Sequence, residues 1–358
     1  TIPLDDRATF DMLSKGLTDG VFQFESAGMR RVVADLCPAS IEDLTAVISL
    51  YRPGPMQSIP KYIRNRHNPD LIQYPTPLLK PILDVTYGCL VYQEQVMQVF
   101  RALAGYSFAK ADIVRRAMSK KKHDVLQQER ANFIAGCAKN RISEQTATAL
   151  FEEISAFSSY AFNKAHAAAY ATVAYQTAYL KCNYPCAYMA ALLTSVLDRA
   201  DKVHGYIEEC SRMNISLLPP HVNYSSYQFS VEDGNIRFGL LAIKNLGKGV
   251  IDQLIAERNA HGPYTSFYNL CKRLYSKDLN RRALESLIQC GALDGLGATR
   301  KEMCAAIPEI SSALEAENRR NLAGQVGFFD LEQTGQSGEY IMPKLGEFDK
   351  AQLLKMEK

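Results

Sequence analysis

Long apolar runs are missing from this sequence, although 47% of its 358 residues are hydrophobic. A membrane-spanning helix needs about 20 consecutive apolar residues, and no signal peptide pattern appears either. We therefore expect a soluble, cytoplasmic protein with enough apolar side chains for a sizeable core in two or three domains. The opening Thr1-Ile2-Pro3 has no initiator Met, which we interpret as a fragment of a longer chain.

Metal-binding spacings are also missing. The nine cysteines form no C-x-x-C pair, and no second pair matches Cys182 and Cys186. Structural zinc sites need four closely spaced Cys or His ligands. We therefore predict free, mostly buried thiols in a reducing compartment and no metal site in this chain.

Strong net charge is a third absence, since the formal charge is only +3 and the pI about 8.3. A nucleic-acid surface would have to come from local patches. The densest patch is residues 110–122, K-A-D-I-V-R-R-A-M-S-K-K-K, which includes Lys120. As a helix it would bury a stripe and send Arg115 and Arg116 out beside it; the stripe comprises Ile113, Val114, Ala117 and Met118.

Neighbouring arginines on a helix diverge by about 100°, so this pair could straddle a polyphosphate, which guanidinium groups bind well. The alternative is a solvated basic helix end that offsets the helix dipole.

Two other segments present basic side chains on stiff supports. Tyr51-Arg52-Pro53-Gly54-Pro55 ends a helix with alternate prolines, so Arg52 suits a phosphate contact, although the prolines could simply stop the helix. Asn163 is expected to cap an alanine-rich helix that starts with Lys164 and His166. Beside free helix-end N–H groups, these two form an edge suited to an anion or nucleotide. The alternative is a packing helix with incidental polar ends.

Five motifs, in order, resemble the alpha subunit of bacterial DNA polymerase III: E-S-A-G-M-R, Y-R-P-G-P, T-Y-G-C-L-V-Y-Q-E-Q-V-M-Q, R-R-A-M-S-K-K-K and F-N-K-A-H-A-A-A-Y-A. The similarity continues through L-L-P-P-H-V-N. It implies that residues 1 to about 200 are the helical fingers of a replicative polymerase. It also implies that Arg115 and Arg116 meet the triphosphate of the incoming dNTP, while Lys164 and His166 lie near the nascent base pair or template. Arg52 and Lys120 are then expected to contact primer–template DNA.

Polymerase chemistry uses two Mg²⁺ ions about 4 Å apart, held by carboxylates. The sequence contains no D-x-D pair. In the family it resembles, these aspartates belong to the palm, upstream of the position that corresponds to Thr1. We therefore expect Mg²⁺ ligands outside this chain, no catalytic residue within it, and substrate binding without activity by this chain alone.

Glycine turns mark the second half. Glu232-Asp-Gly-Asn235 between apolar segments predicts a β-hairpin. The following Leu241-Ala-Ile-Lys-Asn-Leu-Gly-Lys-Gly-Val-Ile resembles a helix-hairpin-helix element. Gly247 and Gly249 would allow a tight turn that points N–H groups at a DNA phosphate beside Lys244 and Lys248. An ordinary glycine turn is the alternative. A second turn, at Gly295-Leu-Gly297, is expected to pack, because Asp294 would repel a phosphate.

The polar segment from about Glu315 resembles a linker. Within it, Gln325-Val-Gly-Phe-Phe329 resembles the family's internal sliding-clamp-binding motif, with Gln325, Phe328 and Phe329 as anchors. Val replaces the usual Leu, and Gly327 adds flexibility. Packing of the two phenylalanines onto the parent domain is the alternative.

Together these features predict a mainly α fold: fingers at 1–200, a β-hairpin and helix-hairpin-helix module at 201–310, and a flexible tail with the clamp-binding motif at 311–358. The expected partners are primer–template DNA, the incoming dNTP, the β sliding clamp and other replicase subunits, with no membrane. The rival hypothesis is a free-standing, non-catalytic DNA-binding protein derived from a polymerase.

Overall fold

The computed structural model describes residues 1–120, 123–274, 279–322 and 340–357. The chain is mainly α-helical, as predicted, and forms two compact units, Thr1–Tyr184 and Pro185–Lys358. The functional domain boundaries at 200 and 310 stay predictions. None of the described helices combines the length and apolar character needed to cross a lipid bilayer.

The first unit is built from helices joined by short 3-10 turns. The helices are α1 (Arg7–Ser14), α2 (Ala27–Leu36), α3 (Ile41–Leu50), α4 (Ile59–His67), α5 (Lys80–Leu83), α6 (Gln93–Ala104), α7 (Phe108–Ser119), α8 (His123–Lys139), α9 (Glu144–Ser158) and α10 (Lys164–Asn183). Side-chain caps start several of them: Ser40 accepts from the Asp43 N–H, Ser143 from Thr146 and Asn163 from His166. Each cap satisfies a backbone donor that the helix itself leaves unpaired.

Two apolar clusters hold the first unit together. One gathers α1 to α4 against α10, where Ala171, Ala174 and Ala178 are fully buried and let α3 approach closely. The other gathers α6 to α9 around Phe100, whose ring meets that of Phe133 edge to face with centroids 5.1 Å apart. Aromatic pairs favour this geometry.

The second unit contains a small sheet and a larger helical part. Its elements are α11 (Pro185–Ser195), α12 (Ala200–Arg212), β1 (Leu217–Leu218), β2 (Ser230–Glu232), β3 (Asn235–Arg237), α13 (Lys248–His261), α14 (Phe267–Arg273), α15 (Arg281–Gln289), α16 (Arg300–Leu322) and α17 (Lys350–Met356). The strand order is β1-β3-β2, with β1 parallel and β2 antiparallel to β3. Asp233 and Gly234 both have positive φ, at 49° and 77°, as a tight hairpin requires. The predicted hairpin is confirmed.

Separate cores serve these two parts. The sheet packs with α11 and α12 around Leu193, Cys210 and Ile236. Helices α13 to α16 enclose a second cluster that includes Leu254 and Leu287.

Two sequence predictions, one about the buried stripe of α7 and one about the tail, differ from the structure. Ile113, expected in the buried stripe of α7, is 64% exposed. The helix buries Ala111 in its place, because Ile113, next to the buried Val114, is turned about 100° away from it. Val114, Ala117 and Met118 are buried as predicted.

The expected flexible tail is the second difference. Helix α16 continues through Glu315 to Leu322, and Tyr340 and Met342 pack against the core that α13 to α16 enclose. The Glu347 carboxylate accepts from the backbone N–H groups of Arg300 (3.0 Å) and Lys301 (3.2 Å), at the start of α16. Glu347 therefore caps a helix that begins 47 residues earlier in the chain, a pairing that local sequence patterns do not contain.

At Gly136, α8 passes close to Ala104 at the end of α6. A Cβ built there would lie 2.5 Å from the Ala104 carbonyl oxygen and 2.7 Å from its Cβ. We expect Gly136→Ala to lower the free energy of unfolding by about 1–3 kcal/mol, because two helix backbones must separate. Gly205→Ala in α12 is the control: its Cβ would meet nothing within 4 Å, so a gain of about 0.5–1 kcal/mol is expected. Urea unfolding followed by circular dichroism would compare them; equal effects would contradict the packing argument.

Candidate nucleotide and DNA interface

One carboxylate holds both arginines of α7. Asp112 Oδ1 accepts from Arg115 Nε (3.1 Å) and Nη2 (2.7 Å), and Asp112 Oδ2 lies 2.8 Å from Arg116 Nη2. Hydrogen bonding to Arg115, with the charges of both arginines, lowers the pKa of Asp112 below its ordinary value. Sequence reasoning did not assign Asp112 this role, although its i, i+3 and i, i+4 spacing was the available signal.

The two arginines differ in exposure. The Arg115 side chain is 15% exposed and that of Arg116 is 68% exposed. An exposed i, i+4 ion pair contributes only about 0.3–0.5 kcal/mol, so Arg116 can leave Asp112 for a more highly charged anion at little cost. Lys120, which caps the C-terminus of α7, is also exposed and lies one turn beyond Arg116. The basic end of α7 is therefore accessible at Arg116 and Lys120, and Arg115 is held beneath them.

Arg52 lies on the stiff loop that the sequence predicted, but its side chain makes internal contacts. Its Nη2 donates to the Tyr160 carbonyl (2.8 Å), and its Nε donates to the Ser49 carbonyl (3.0 Å). The guanidinium lies 4.1 Å from the centroid of the Phe162 ring, and burial lowers the pKa of Arg52. Arg52 thus fastens the loop to the segment that leads into α10.

The start of α10 differs from the sequence prediction. Free N–H groups were expected there, but the Lys164 N–H donates to Glu94 (3.1 Å to Oε2) and the His166 N–H to Asn163 Oδ1 (2.9 Å). The Lys164 ammonium lies 3.0 Å from Glu42 Oε2. A protein carboxylate therefore occupies the position where an anion was expected, and the prediction of free N–H groups is wrong.

The His166 ring, by contrast, is exposed within a row of aromatic rings. Its centroid lies 4.6 Å from that of Tyr170 and 5.5 Å from that of Phe162, and the rings of Tyr170 and Phe22 are 5.6 Å apart. We call Phe22, Phe162, His166 and Tyr170 the aromatic row. His166 and Tyr170 are four residues apart on α10, so helical spacing explains their contact. Phe22, 148 residues before Tyr170, carried no sequence signal.

Residues 158–163 connect these features. The Ser158 hydroxyl contacts Met118 Sδ of α7 at 3.4 Å, Tyr160 accepts from Arg52, and Phe162 forms a backbone bridge with Tyr92 just before α6. The end of α7, the Arg52 loop and the start of α10 thus all contact one short segment. The structure brings together the elements that carry the predicted nucleotide-binding residues.

In the second unit, Gly247 is the N-cap of α13, and Lys244, Gly247, Lys248 and Gly249 are all exposed. The left-handed residue of this turn is Asn245 (φ 61°), whereas Gly247 has φ −72°. The glycines therefore do not supply the tight turn by positive φ, as had been expected. A Cβ at Gly247 or Gly249 would meet nothing within 4 Å. No side chain of these two residues therefore blocks the approach of a ligand to the start of α13.

The comparisons with known proteins match both halves of the chain. Residues 1–141 match the family model of the bacterial DNA polymerase III alpha subunit finger domain, and residues 214–303 match that of the helix-hairpin-helix motif. DNA polymerase III subunit alpha of Chlamydia pneumoniae is 41% identical over 100% of this chain, and those of Xylella fastidiosa (strain 9a5c) and Escherichia coli K12 are 46% and 42% identical over 92% of it. The chain belongs to the DNA polymerase III alpha subunit family. It spans only 28–29% of the length of these relatives.

The two family models cover different elements of this chain. The finger-domain model includes the whole of α7, with Arg115 and Arg116, but ends before α10. The helix-hairpin-helix model begins just before β1 and reaches the start of α16. The second glycine turn, at Gly295-Leu-Gly297, packs as predicted, because Leu293 and Leu296 are buried and Arg300 binds the Asp294 carboxylate.

Among the described residues, no group of three or more His, Cys, Asp or Glu side chains is arranged to hold a metal ion. The carboxylates at the start of α10, Glu42 and Glu94, are engaged by Lys164. These residues do not fit a two-metal centre. Gln325, Phe328 and Phe329 lie outside the described residues.

Proposed function

We propose that this chain is the fingers and DNA-binding portion of a DNA-directed DNA polymerase, in which Arg115 and Arg116 bind the triphosphate of the incoming dNTP. The observation that carries the proposal is the shared Asp112 carboxylate, which aligns both guanidinium groups while Arg116 stays 68% exposed. The family match of residues 1–141 supports it.

A triphosphate carries more negative charge than a single carboxylate. It would therefore displace Asp112 from Arg116, and the fork of Arg116 would bind phosphate oxygens bidentately. Arg115, held by two hydrogen bonds, would keep its orientation and supply a fixed positive charge. Such pre-arranged charge needs little reorganisation when negative charge develops on the phosphates. In the full polymerase, divalent metal ions, Mg²⁺ in our proposal, would supply the chemistry at carboxylates outside this chain.

DNA contacts are proposed at both units. Lys120 ends α7, the helix that carries the arginine pair, and Arg52 lies on the loop that contacts Tyr160. In the second unit, the exposed start of α13 is formed by Lys244, Gly247, Lys248 and Gly249. N–H groups at such a start bind backbone phosphate without reading sequence, and this binding weakens as salt rises. Lys164 and His166 complete the proposed nucleotide side, with Lys164 acting through its pair with Glu42.

The remaining partners follow from the family. A polymerase of this kind would act on chromosomal DNA in the cytoplasm, with the β sliding clamp bound at Gln325, Phe328 and Phe329 and with further replicase subunits. This chain alone would bind substrates without extending a primer.

Single-turnover incorporation by a full-length alpha subunit that contains these residues tests the proposal. We expect Arg115→Ala and Arg116→Ala each to lower kcat/KM for the dNTP about 10- to 100-fold. Arg116→Ala removes a charge-assisted hydrogen bond of about 1.5–3 kcal/mol, and Arg115→Ala removes the fixed positive charge beside the phosphates. Primer–template affinity should stay nearly unchanged. The matched control is Arg130→Ala in α8, an arginine that is also exposed and also paired, with Glu152 at 3.4 Å. Loss of DNA affinity alone, or equal losses in the control, would refute the triphosphate assignment.

A further inference from the structure

Three of the four rings of the aromatic row, those of Phe22, His166 and Tyr170, are exposed, although large rings usually avoid water. Phe22 is 39% and Tyr170 36% exposed, and the two rings touch across elements far apart in sequence. Exposed rings in mutual contact form a wide π-surface, which is the feature on which nucleobases stack without regard to sequence. The Tyr170 ring also contacts the ring of His166, a proposed nucleotide-binding residue.

The Phe22 turn is fastened to α10 before any ligand binds. The Phe22 N–H donates to Thr177 Oγ1 at 3.1 Å. The ammonium of Lys181, a residue that is 1% exposed, donates to the carbonyls of Leu17 (3.1 Å) and Asp19 (2.8 Å). A ring held in this way loses little conformational entropy when a ligand stacks on it.

The exposed face of α10 carries small side chains next to the rings. Ala165 and Ala169 are both exposed and flank His166 and Tyr170. A planar group can therefore approach the helix closely beside the rings. The Arg52 guanidinium, 4.1 Å from the Phe162 ring at one end of the row, supplies positive charge for the phosphate backbone of the same strand.

We propose that Phe22 and Tyr170, together with His166, form a stacking platform for unpaired bases of a single DNA strand. Phe22 and Tyr170 bind base faces, and Lys181 is a positioning residue that holds the Phe22 turn in place. The proposal rests on the proposed function, because it takes the strand bound there to be the template. It adds two binding residues, one of them outside α10.

Because the chain has no tryptophan, Tyr170→Trp introduces a single fluorescent reporter on the platform. We would titrate it with a 16-nucleotide oligo(dT) and with an abasic strand of the same length, and follow strand binding independently by anisotropy of a 5′ label. Stacking of thymines should quench the reporter, and the abasic strand should bind without quenching it. The matched control is Phe108→Trp on α7, where the parent ring is 59% exposed; it should not be quenched.

Affinity gives a second readout. Phe22→Leu and Tyr170→Leu keep apolar bulk and remove the π-face, so each should weaken oligo(dT) binding about tenfold and leave abasic-strand binding unchanged. Binding of oligo(dT) without quenching at Tyr170→Trp, or equal losses for both strands, would overturn the platform while leaving the proposed DNA-binding function intact. No binding of either strand at low salt by the wild-type chain would count against both.

Discussion

Replacing Lys181 by methionine is expected to lower the free energy of unfolding of the first unit by about 2–4 kcal/mol. The side chain is 1% exposed, and its ammonium donates to the carbonyls of Leu17 and Asp19. Methionine would fill a similar volume, but both carbonyls would lose this donor at part-buried positions, at up to about 1–3 kcal/mol each. Removing a buried charge recovers part of that loss, so the net effect is smaller than the sum.

Urea unfolding followed by circular dichroism measures this effect. The matched control is Lys61→Met in α4, an exposed lysine of the same unit, for which a change within about 0.5 kcal/mol is expected. Lys181→Met should also weaken oligo(dT) binding more than abasic-strand binding, because the Phe22 turn loses its anchor. A Lys181→Met protein as stable as Lys61→Met would show that the two carbonyl contacts do not hold the turn.

The parts of this fold that were predictable depend on interactions within a few residues. Ser40, Ser143 and Asn163 cap helices because each side chain reaches an N–H three residues ahead. Asp233 and Gly234 make the hairpin turn for an equally local reason, since only a few residues adopt positive φ readily.

The site depends on pairs that no local pattern contains. Glu94 binds the Lys164 N–H across 70 residues, and Arg52 binds the Tyr160 carbonyl across 108. From sequence, a basic residue on a stiff loop and a helix start with a lysine both suggested anion binding. In the fold, Arg52 also fastens a loop, and the start of α10 already has carboxylate partners at Glu94 and Glu42 before any ligand binds. The tertiary fold sets these partners, and local sequence patterns do not show them.

The arginine pair of α7 lies between these cases. The Asp112 tether and the exposure of Arg116 follow from helical spacing alone, whereas the low exposure of Arg115 does not. The neighbours of the pair do not either, because Ser158 of α9 reaches Met118 across 40 residues. Sequence therefore identified the charged group, and the structure shows which other elements meet beside it.

Arg300→Ala is expected to lower the free energy of unfolding of the second unit by about 2–4 kcal/mol and to release residues 340–357. The Arg300 side chain is 10% exposed and binds Asp294 through Nε (2.9 Å) and Nη2 (2.6 Å). Its Nη1 donates to the Gln289 carbonyl (3.2 Å) and to Glu357 (2.9 Å). These hydrogen bonds, chiefly those to Asp294, raise the pKa of Arg300. Breaking a fully buried pair costs about 3–5 kcal/mol, and half-exposed carboxylate partners reduce that figure.

Two variants separate geometry from charge in this test. Arg300→Lys keeps a cation but cannot form the two-pronged contact with Asp294, so an intermediate loss is expected. Arg281→Ala in α15 removes an arginine that is 71% exposed and paired with Glu285, and should change stability by no more than about 0.5 kcal/mol. Limited proteolysis should cut within residues 340–357 faster in Arg300→Ala than in Arg281→Ala. Equal cleavage would mean that Glu347, through its contacts with the start of α16, anchors this segment without help from the Arg300 side chain.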